Sequence, residues 1–423
     1  MMMTYRVLTF ILTPLVPFWL FWRRLNRKED AKRLHERYGI SRIPRPAGLL
    51  IWLHAASVGE ANSLLTFIAR VRERFPQVHI LVTTGTMTSA SLMKKRLPAG
   101  AIHQYVPVDT PEATMNFVRH WKPDIAFWVE SELWPNLIYS AKAYYCFMGI
   151  INGRMSEKSF GFWQKFPSLI QSMLGSFSIV FPQTEKDAQR FLKLGVKPKN
   201  IITAGNLKYD GAPLSFNEDE MMAMNIMLDD RPRWLAASTH PGEEEIIGKT
   251  HKLLSATRRD LLTIVVPRHP QRGAHIASIL QKYGKVARRS QHDTINADTQ
   301  FYVADTLGEL GLFYRLSEVV FMGGSLVPHG GQNPLEPARL SCAIATGPHT
   351  ENFADMYEEM EAIGACVRVP LPEQLAPQID ILLSDGKKRT DMQTIIRQWI
   401  AEKGGTTNSL LDILSPIFEA KPV

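Results

Sequence analysis

From Leu49 onward, short apolar runs alternate with longer amphipathic stretches. That alternation predicts parallel α/β organisation rather than a helical bundle or an all-β sandwich. In the first half the runs are Leu49–Ala55, His79–Thr84, Ile125–Val129, Phe147–Ile151 and Ser178–Pro182, with a shorter one at Ile201–Leu207. A polar stretch from Ser215 to Arg233 intervenes. The scheme then restarts with Trp234–Ala237, Leu262–Val266, Thr299–Val303, Glu318–Met322 and Ala343–Thr346. Two Rossmann-like domains are expected, residues 36–210 and 211–423. Open parallel sheets bind ligands beyond the carboxyl ends of their strands, and two such domains facing each other would gather those ends along one cleft. Polar and glycine-rich clusters do follow the runs ending near Ala55, Val129, Leu207, Ala237, Val266 and Met322.

Residues 1–35 depart from this pattern. Val7–Trp22 carries no charge and is followed at once by Arg23, Arg24, Arg27 and Lys28. A membrane span needs about 20 apolar residues, and Pro14 and Pro17 interrupt this one. A secretory signal would carry its basic residues before the apolar stretch. Trp19 and Trp22 beside the basic cluster point instead to an interfacial anchor on cytoplasmic lipid head groups, with a buried amino-terminal helix as the alternative.

Composition narrows the partners. With 423 residues, 45% of them hydrophobic, the chain can bury two cores, and its net charge of +8 favours an anionic partner such as phosphate, nucleic acid or an acidic lipid surface. Cys146, Cys342 and Cys366 lie far apart, without disulfide-framework or zinc-ligand spacing. No GxGxxG with a distal acid, no Walker A loop and no nucleic-acid module is present, so a dinucleotide dehydrogenase, an NTPase and a nucleic-acid partner are not expected. No compact Asp-x-Asp or His/Cys set calls for a metal, and no cofactor is implied.

The clusters carry the candidate chemistry. His54-Ala55-Ala56-Ser57-Val58-Gly59-Glu60 runs from a strand into a helix and offers Glu60 as a general base; Ser57 and Glu60 equally have the spacing of a capping box. Trp128-Val129-Glu130-Ser131-Glu132-Leu133-Trp134-Pro135-Asn136 interleaves aromatics with carboxylates, as a sugar site does and as buried tryptophans beside solvated glutamates do. Lys208, in Gly205-Asn206-Leu207-Lys208-Tyr209-Asp210, reads as a partner for an acidic substrate or as a surface lysine.

In the second half, Ser238-Thr239-His240-Pro241-Gly242-Glu243 offers hydroxyls and amides at a helix start, for a phosphate or simply as a cap. Arg268, with His269, ends the run LTIVV, where a planar guanidinium could hold two phosphate oxygens. Asp305-Thr306-Leu307-Gly308-Glu309-Leu310 is another polar turn entering a helix. The most specific segment is Gly323 to Ala338, GGSLVPHGGQNPLEPA: its glycines permit close backbone approach, Asn333 reads as an N-cap, Pro334 as the first helical residue and Glu336 as a first-turn acid.

Taken together and in order, HAASVGE, ESELWPN, GNLKYD, STHPGEEE, VPRHPQR, DTLGEL and GGSLVPHGGQNPLEPA, preceded by Glu36-Arg37-Tyr38-Gly39, resemble the bacterial Kdo (3-deoxy-D-manno-octulosonic acid) transferase family from Glu36 to about Phe353. The resemblance implies a GT-B glycosyltransferase in which residues 36–210 receive a lipid A precursor (lipid IVA) and residues 211–423 bind CMP-Kdo. By analogy, a terminal helix near Asn408–Val423 would cross back to the first domain. The resemblance makes Glu60 the proton acceptor and Glu130 and Lys208 supports of the transition state. Arg268, His269, Gly308, Glu309, Leu310, Asn333, Pro334, Leu335 and Glu336 become the CMP pocket, with no metal required. It further implies an inverting reaction at the cytoplasmic face of the inner membrane. The spacer Val327-Pro328-His329 departs slightly from the family pattern. A sugar-nucleotide epimerase of the same two-domain fold is the alternative activity, against which the anchor speaks.

Overall fold

The computed structural model describes residues 1–144 and 146–419. The chain divides into two compact units: Met1–Gly211 with the segment from Lys403 onward, and Ala212–Glu402.

The first unit holds a six-stranded, all-parallel sheet of β1 (Leu50–Ala55), β2 (His79–Thr84), β3 (Ile102–Tyr105), β4 (Ile125–Val129), β5 (Phe147–Gly153) and β6 (Ile179–Pro182), in the order β3-β2-β1-β4-β5-β6. Side chains alternate across a strand. Leu50 and Trp52 therefore enter one core, with Trp128 and Phe117, while Ile51 and Leu53 enter another, with Phe67 and Phe127. Burial on both faces explains why β1 reads as an unbroken apolar run. The helix Thr406–Glu419 closes the second of these cores: Leu410, Leu414 and Phe418 are buried in it, and Phe418 meets Phe75 edge to face at 5.4 Å. Positions 420–423 of the expected terminal helix lie outside the described residues.

The amino-terminal segment is helical from Met2 to Leu25, long and apolar enough to cross a membrane. Pro14 and Pro17 each stand at the start of a helical piece, at Thr13–Leu15 and Val16–Leu25, where their missing N–H groups have no intrahelical partner to lose. The segment is tied to the unit by polar contacts: the Tyr5 hydroxyl donates to Asp109 at 3.0 Å, and Asn136 Nδ2 donates to Thr9 Oγ1 at 2.9 Å. The Glu-Arg-Tyr-Gly motif that follows is structural. Glu36 accepts the Tyr105 N–H at 2.7 Å, and Arg37 spans Glu29 (2.9 Å) and the carbonyls of Gly85 and Val106. At Gly39, φ is +75° and a Cβ would stand 2.0 Å from the Ala113 carbonyl oxygen, so only glycine fits.

The second unit has a seven-stranded, all-parallel sheet of β7 (Arg233–Thr239), β8 (Leu262–Pro267), β9 (Val286–Arg288), β10 (Phe301–Val303), β11 (Val319–Met322), β12 (Ala343–Thr346) and β13 (Cys366–Arg368). Its order is β13-β12-β11-β7-β8-β10-β9. Strands β3, β9 and β13 lie outside the apolar runs; each is three or four residues long and sits at a sheet edge, where burial on both faces is not required. Conversely, Ile201–Leu207 forms no strand: Ile201 bridges Val180, and the chain then coils into the 3₁₀ turn Leu207–Asp210.

Candidate active site

In the first sheet the strand order reverses between β1 and β4, which is where open α/β sheets place a ligand crevice. Glu60 stands beyond β1 and Glu130 beyond β4. Ser57 caps the helix Val58–Arg74, and its hydroxyl donates to Glu60 Oε1 at 2.7 Å while the Ala56 N–H donates to Oε2 at 2.8 Å. The capping interaction is therefore present, and it coexists with properties a base needs. Glu60 is 6% exposed, and burial, reinforced by the nearby charges of Glu130 and Glu132, pushes its carboxyl up to about 7 against the lowering effect of Ser57.

Glu130 adopts φ +58°, a conformation costly for a non-glycine residue and characteristic of sites held by their surroundings. Here the surroundings are visible. Lys208 Nζ lies 2.7 Å from Glu130 Oε1, and the turn carrying Lys208 is pinned by Asn152, whose Oδ1 accepts the Leu207 N–H at 2.9 Å, and by Gln183, which accepts from Asn206 at 3.0 Å. Asn152 belongs to β5 and Gln183 follows β6, so four neighbouring strand ends build this corner. On the far side of the turn, Asp210 accepts the N–H groups of Gly405, at 2.7 Å, and Thr407. The aromatic residues beside Glu130 separate: Trp128 is core, 4.9 Å from Trp52, whereas Trp134 is exposed and donates to Glu132 at 3.2 Å.

In the second unit the reversal falls between β7 and β11. Every residue assigned to the nucleotide lies in a loop or the first turn of a helix after one of three strands: Asn333 to Glu336 after β11, Arg268 and His269 after β8, and Gly308 to Leu310 after β10; His240 follows β7, which lies between β11 and β8. Glu243, fully buried, ties together the ends of β7 and β11. Its carboxylate accepts the N–H groups of His240 (2.9 Å), Gly324 (2.7 Å), Ser325 (3.1 Å) and Leu326 (3.1 Å). Thr239 Oγ1 donates to Glu244, which Arg272 grips with both terminal nitrogens at 2.8 and 3.0 Å. The Thr239 hydroxyl and these turn amides are thus engaged within the protein rather than open to a phosphate. A Cβ on Gly323 would stand 2.7 Å from Thr239 Cα, which accounts for the first glycine of the pair.

Arg268 is exposed, with no ion-pair partner among the described residues. Glu309 is different: burial would raise its carboxyl, but Arg289 (2.5 Å) and Thr306 outweigh it and hold the group below the usual range. Its side chain positions the turn that begins at Gly308 (φ +91°) and leads into the helix from Leu310. Asn333 Oδ1 accepts the Leu335 N–H at 3.1 Å, but the helix begins at Leu335, one residue later than expected, and its N-cap position is held by Pro334. That helix, Leu335–Ala338, is a single turn ending beside Pro337, so it contributes little of the macrodipole expected of it. Glu336 lies half-buried in that turn. Glu243 and the pairing of His240 with other histidines were not read from the sequence; the three-residue interval from His240 to Glu243, the same as Ser57 to Glu60, was the available signal for the former.

Two parallel-sheet α/β units, with candidate groups beyond their strand ends, define the GT-B class of glycosyltransferases. Solved structures agree on the fold: a glycosyltransferase from Rickettsia africae matches 89% of this chain over 100% of its own (TM-score 0.58, 12% identity), and a UDP-GlcNAc 2-epimerase from Neisseria meningitidis matches 84% over 99% (TM-score 0.57, 12% identity). Residues 32–211 match the family model for 3-deoxy-D-manno-octulosonic-acid transferase (kdotransferase). The 3-deoxy-D-manno-octulosonic acid transferases of Rickettsia bellii and Haemophilus influenzae are 36% and 33% identical, over 92% and 98% of this chain and the same shares of their own. The chain belongs to the 3-deoxy-D-manno-octulosonic acid transferase family and is a glycosyltransferase.

Proposed function

We propose that the protein transfers Kdo from CMP-Kdo to a hydroxyl of the lipid A precursor lipid IVA, with inversion, at the cytoplasmic face of the inner membrane. The observation that carries this reading is the buried Glu60 carboxyl, raised to about 7 beside the Glu130–Lys208 pair. A base of that strength accepts a hydroxyl proton near neutral pH without being permanently protonated. In this reading Glu60 takes the acceptor's proton as the oxygen attacks the anomeric carbon, and the bond from that carbon to the phosphate oxygen breaks with its electron pair leaving on CMP. Lys208 and Glu130 hold fixed charges next to the reacting centre, the preorganised arrangement that stabilises developing charge. Arg268 and His269 receive the phosphate, the turn Gly308-Glu309-Leu310 and the segment Asn333-Pro334-Leu335-Glu336 the nucleoside. Family membership supports transfer over epimerisation.

The anchor belongs to the same proposal. The helix Met2–Leu25 exposes Phe10, Ile11, Phe18 and Phe21, and Arg23, Arg24, Arg27 and Lys28 follow at the level of anionic head groups. Incubation of the purified full chain with CMP-Kdo tests the reaction: CMP release that requires lipid IVA, with a product heavier by one or more Kdo units, is expected. An isomerised nucleotide sugar formed without acceptor would replace this reading by epimerisation.

A further inference from the structure

Three strands that lie side by side in the second sheet, β11, β7 and β8, each lead into a loop bearing a histidine. The rings of His240 and His329 stack with centroids 3.7 Å apart and 33° between planes, and His269 stands edge-on to His240 at 6.0 Å. His240 is 4% exposed, whereas His329 and His269 are exposed, so one buried ring carries two accessible ones. The backbone is bent to achieve this. Ser238 takes φ +57° at a register shift between Ala237 and Thr239, and Gly324, at φ +67°, would bring a Cβ to 3.0 Å from the His240 ring. Strain of this kind, held in place by Glu243, marks a position that the fold has gone to some cost to define.

Charge at the cluster is unbalanced. Burial first, and then His329 from the glycine-rich turn and His269, Arg268 and Arg272 from the loop after β8, push His240 down to about 4. The nearby carboxylates are occupied: Glu243 by four backbone amides and Glu244 by Arg272. Gln332 Nε2 lies 3.1 Å from His240 Nε2. With the amide donating, the ring nitrogen is an acceptor and the imidazole is neutral; protonation requires the amide to turn and present its oxygen. Among the described residues no group of His, Cys, Asp and Glu is arranged to hold a metal ion, and Arg268, which has no carboxylate paired with it as Arg272 has, would oppose one. An anion is the complementary occupant.

We propose that the stacked His240–His329 pair, with His269 and Arg268, is the seat of the donor's phosphate, and that His240 takes up a proton from solvent as that phosphate becomes the dianion of CMP. The inference rests on the donor reading above and adds two residues and a charge-compensating step to it. In the bound donor the phosphate is a diester with one negative charge. When the bond to the anomeric carbon breaks, the electron pair stays on the phosphate oxygen and the product is a monoester, near-dianionic at neutral pH. A neutral histidine stack next to Arg268 can meet the added charge by protonation, whereas a stack already charged would repel itself. The acceptor's proton goes to Glu60, so the two proton movements are separate.

Calorimetry of the full chain in detergent near pH 7, in two buffers of different ionisation heat, tests this with CMP, cytidine and a free 2-keto-3-deoxy sugar acid. CMP is expected to bind with net proton uptake and cytidine without it. His240→Gln should abolish the uptake and weaken CMP by about tenfold to a hundredfold, the worth of hydrogen bonds to a charged group, while leaving cytidine binding unchanged. His329→Gln alters an exposed ring; should the buried substitution unfold the unit and lose cytidine too, this variant must still reduce both uptake and CMP affinity. CMP binding to the unsubstituted protein without proton uptake, or undiminished CMP affinity in His329→Gln, overturns the proposal. Uptake driven equally by the sugar acid would seat its carboxylate there and overturn the phosphate assignment. Failure of both CMP and cytidine to bind the unsubstituted protein removes the donor reading itself, and this inference with it.

Discussion

The two units place opposite chemistry in equivalent positions. Where strand order reverses in the first sheet stand Glu60 and Glu130, with one lysine; where it reverses in the second stand His240 and His329, with Arg268, His269 and Arg272 nearby. Burial acts on both in the same sense, by disfavouring the charged form. It raises the Glu60 carboxyl to about 7 and lowers the His240 imidazole to about 4. A carboxylate so treated becomes a base suited to neutral pH, and an imidazole so treated becomes a neutral group able to accept charge. The sheets determine which residues meet at each reversal, and the side chains there determine whether burial favours a neutral acid or a neutral imidazole.

If that division holds, substitutions in the first unit should lower the rate of the chemical step, and those in the second should weaken donor binding. The largest expected effect is Glu60→Gln: kcat falls by about 10²-fold to 10⁴-fold with CMP affinity unchanged, measured by acceptor-dependent CMP release and by calorimetry. Near-normal turnover would leave Glu60 as a cap alone. Lys208→Met comes next, with about 10²-fold lost from kcat, the lower range for removing one preorganised electrostatic partner. A Lys208→Met variant that instead changes only CMP affinity would break the comparison. Arg268→Ala should do the opposite of both, reducing kcat/KM for the donor and CMP affinity by about tenfold to a hundredfold.

How much of this was legible before the fold was known depends on what each residue needed. Strands buried on both faces, such as Leu50–Ala55 and Leu262–Pro267, announce themselves as apolar runs. The edge strands Ile102–Tyr105, Val286–Arg288 and Cys366–Arg368 do not, because half-exposed positions tolerate the histidine and arginines they contain. Glu60 was visible as a carboxylate after a strand and its capping contact was legible, but its raised pKa depends on burial and on the charge of Glu130, 70 positions away, and both depend on strand order. Lys208 was one lysine among many until the 3₁₀ turn, pinned by Asn152 and Gln183, brought it to 2.7 Å from Glu130. His240 and His329 illustrate the same limit: nothing local joins them, and they meet because β7 and β11 are neighbours in the sheet. Glycine-rich segments were easier to recognise than to interpret, since the amides of Gly324, Ser325 and Leu326 serve Glu243 rather than a ligand.

The smallest predicted effect is the most specific to the first unit's electrostatics. Glu60 must be ionised to accept a proton, so kcat should fall tenfold per pH unit below about 7 and level off above it. Burial is the first cause of that elevated value, and the negative charge of Glu130 is a lesser one. Glu130→Gln removes that repulsion, together with the 2.7 Å ion pair to Lys208. Loss of the repulsion favours the ionised form of Glu60, so the acid limb should move to lower pH, by less than the rise that burial itself produces. The maximal rate should drop at the same time under the proposed role of Glu130 in supporting the transition state, which makes the position of the limb the informative quantity. A limb that stays in place would mean that Glu130 and Glu60 do not sense each other, and a limb that moves upward would show that the substitution deepens the burial of Glu60 by more than it relieves the repulsion.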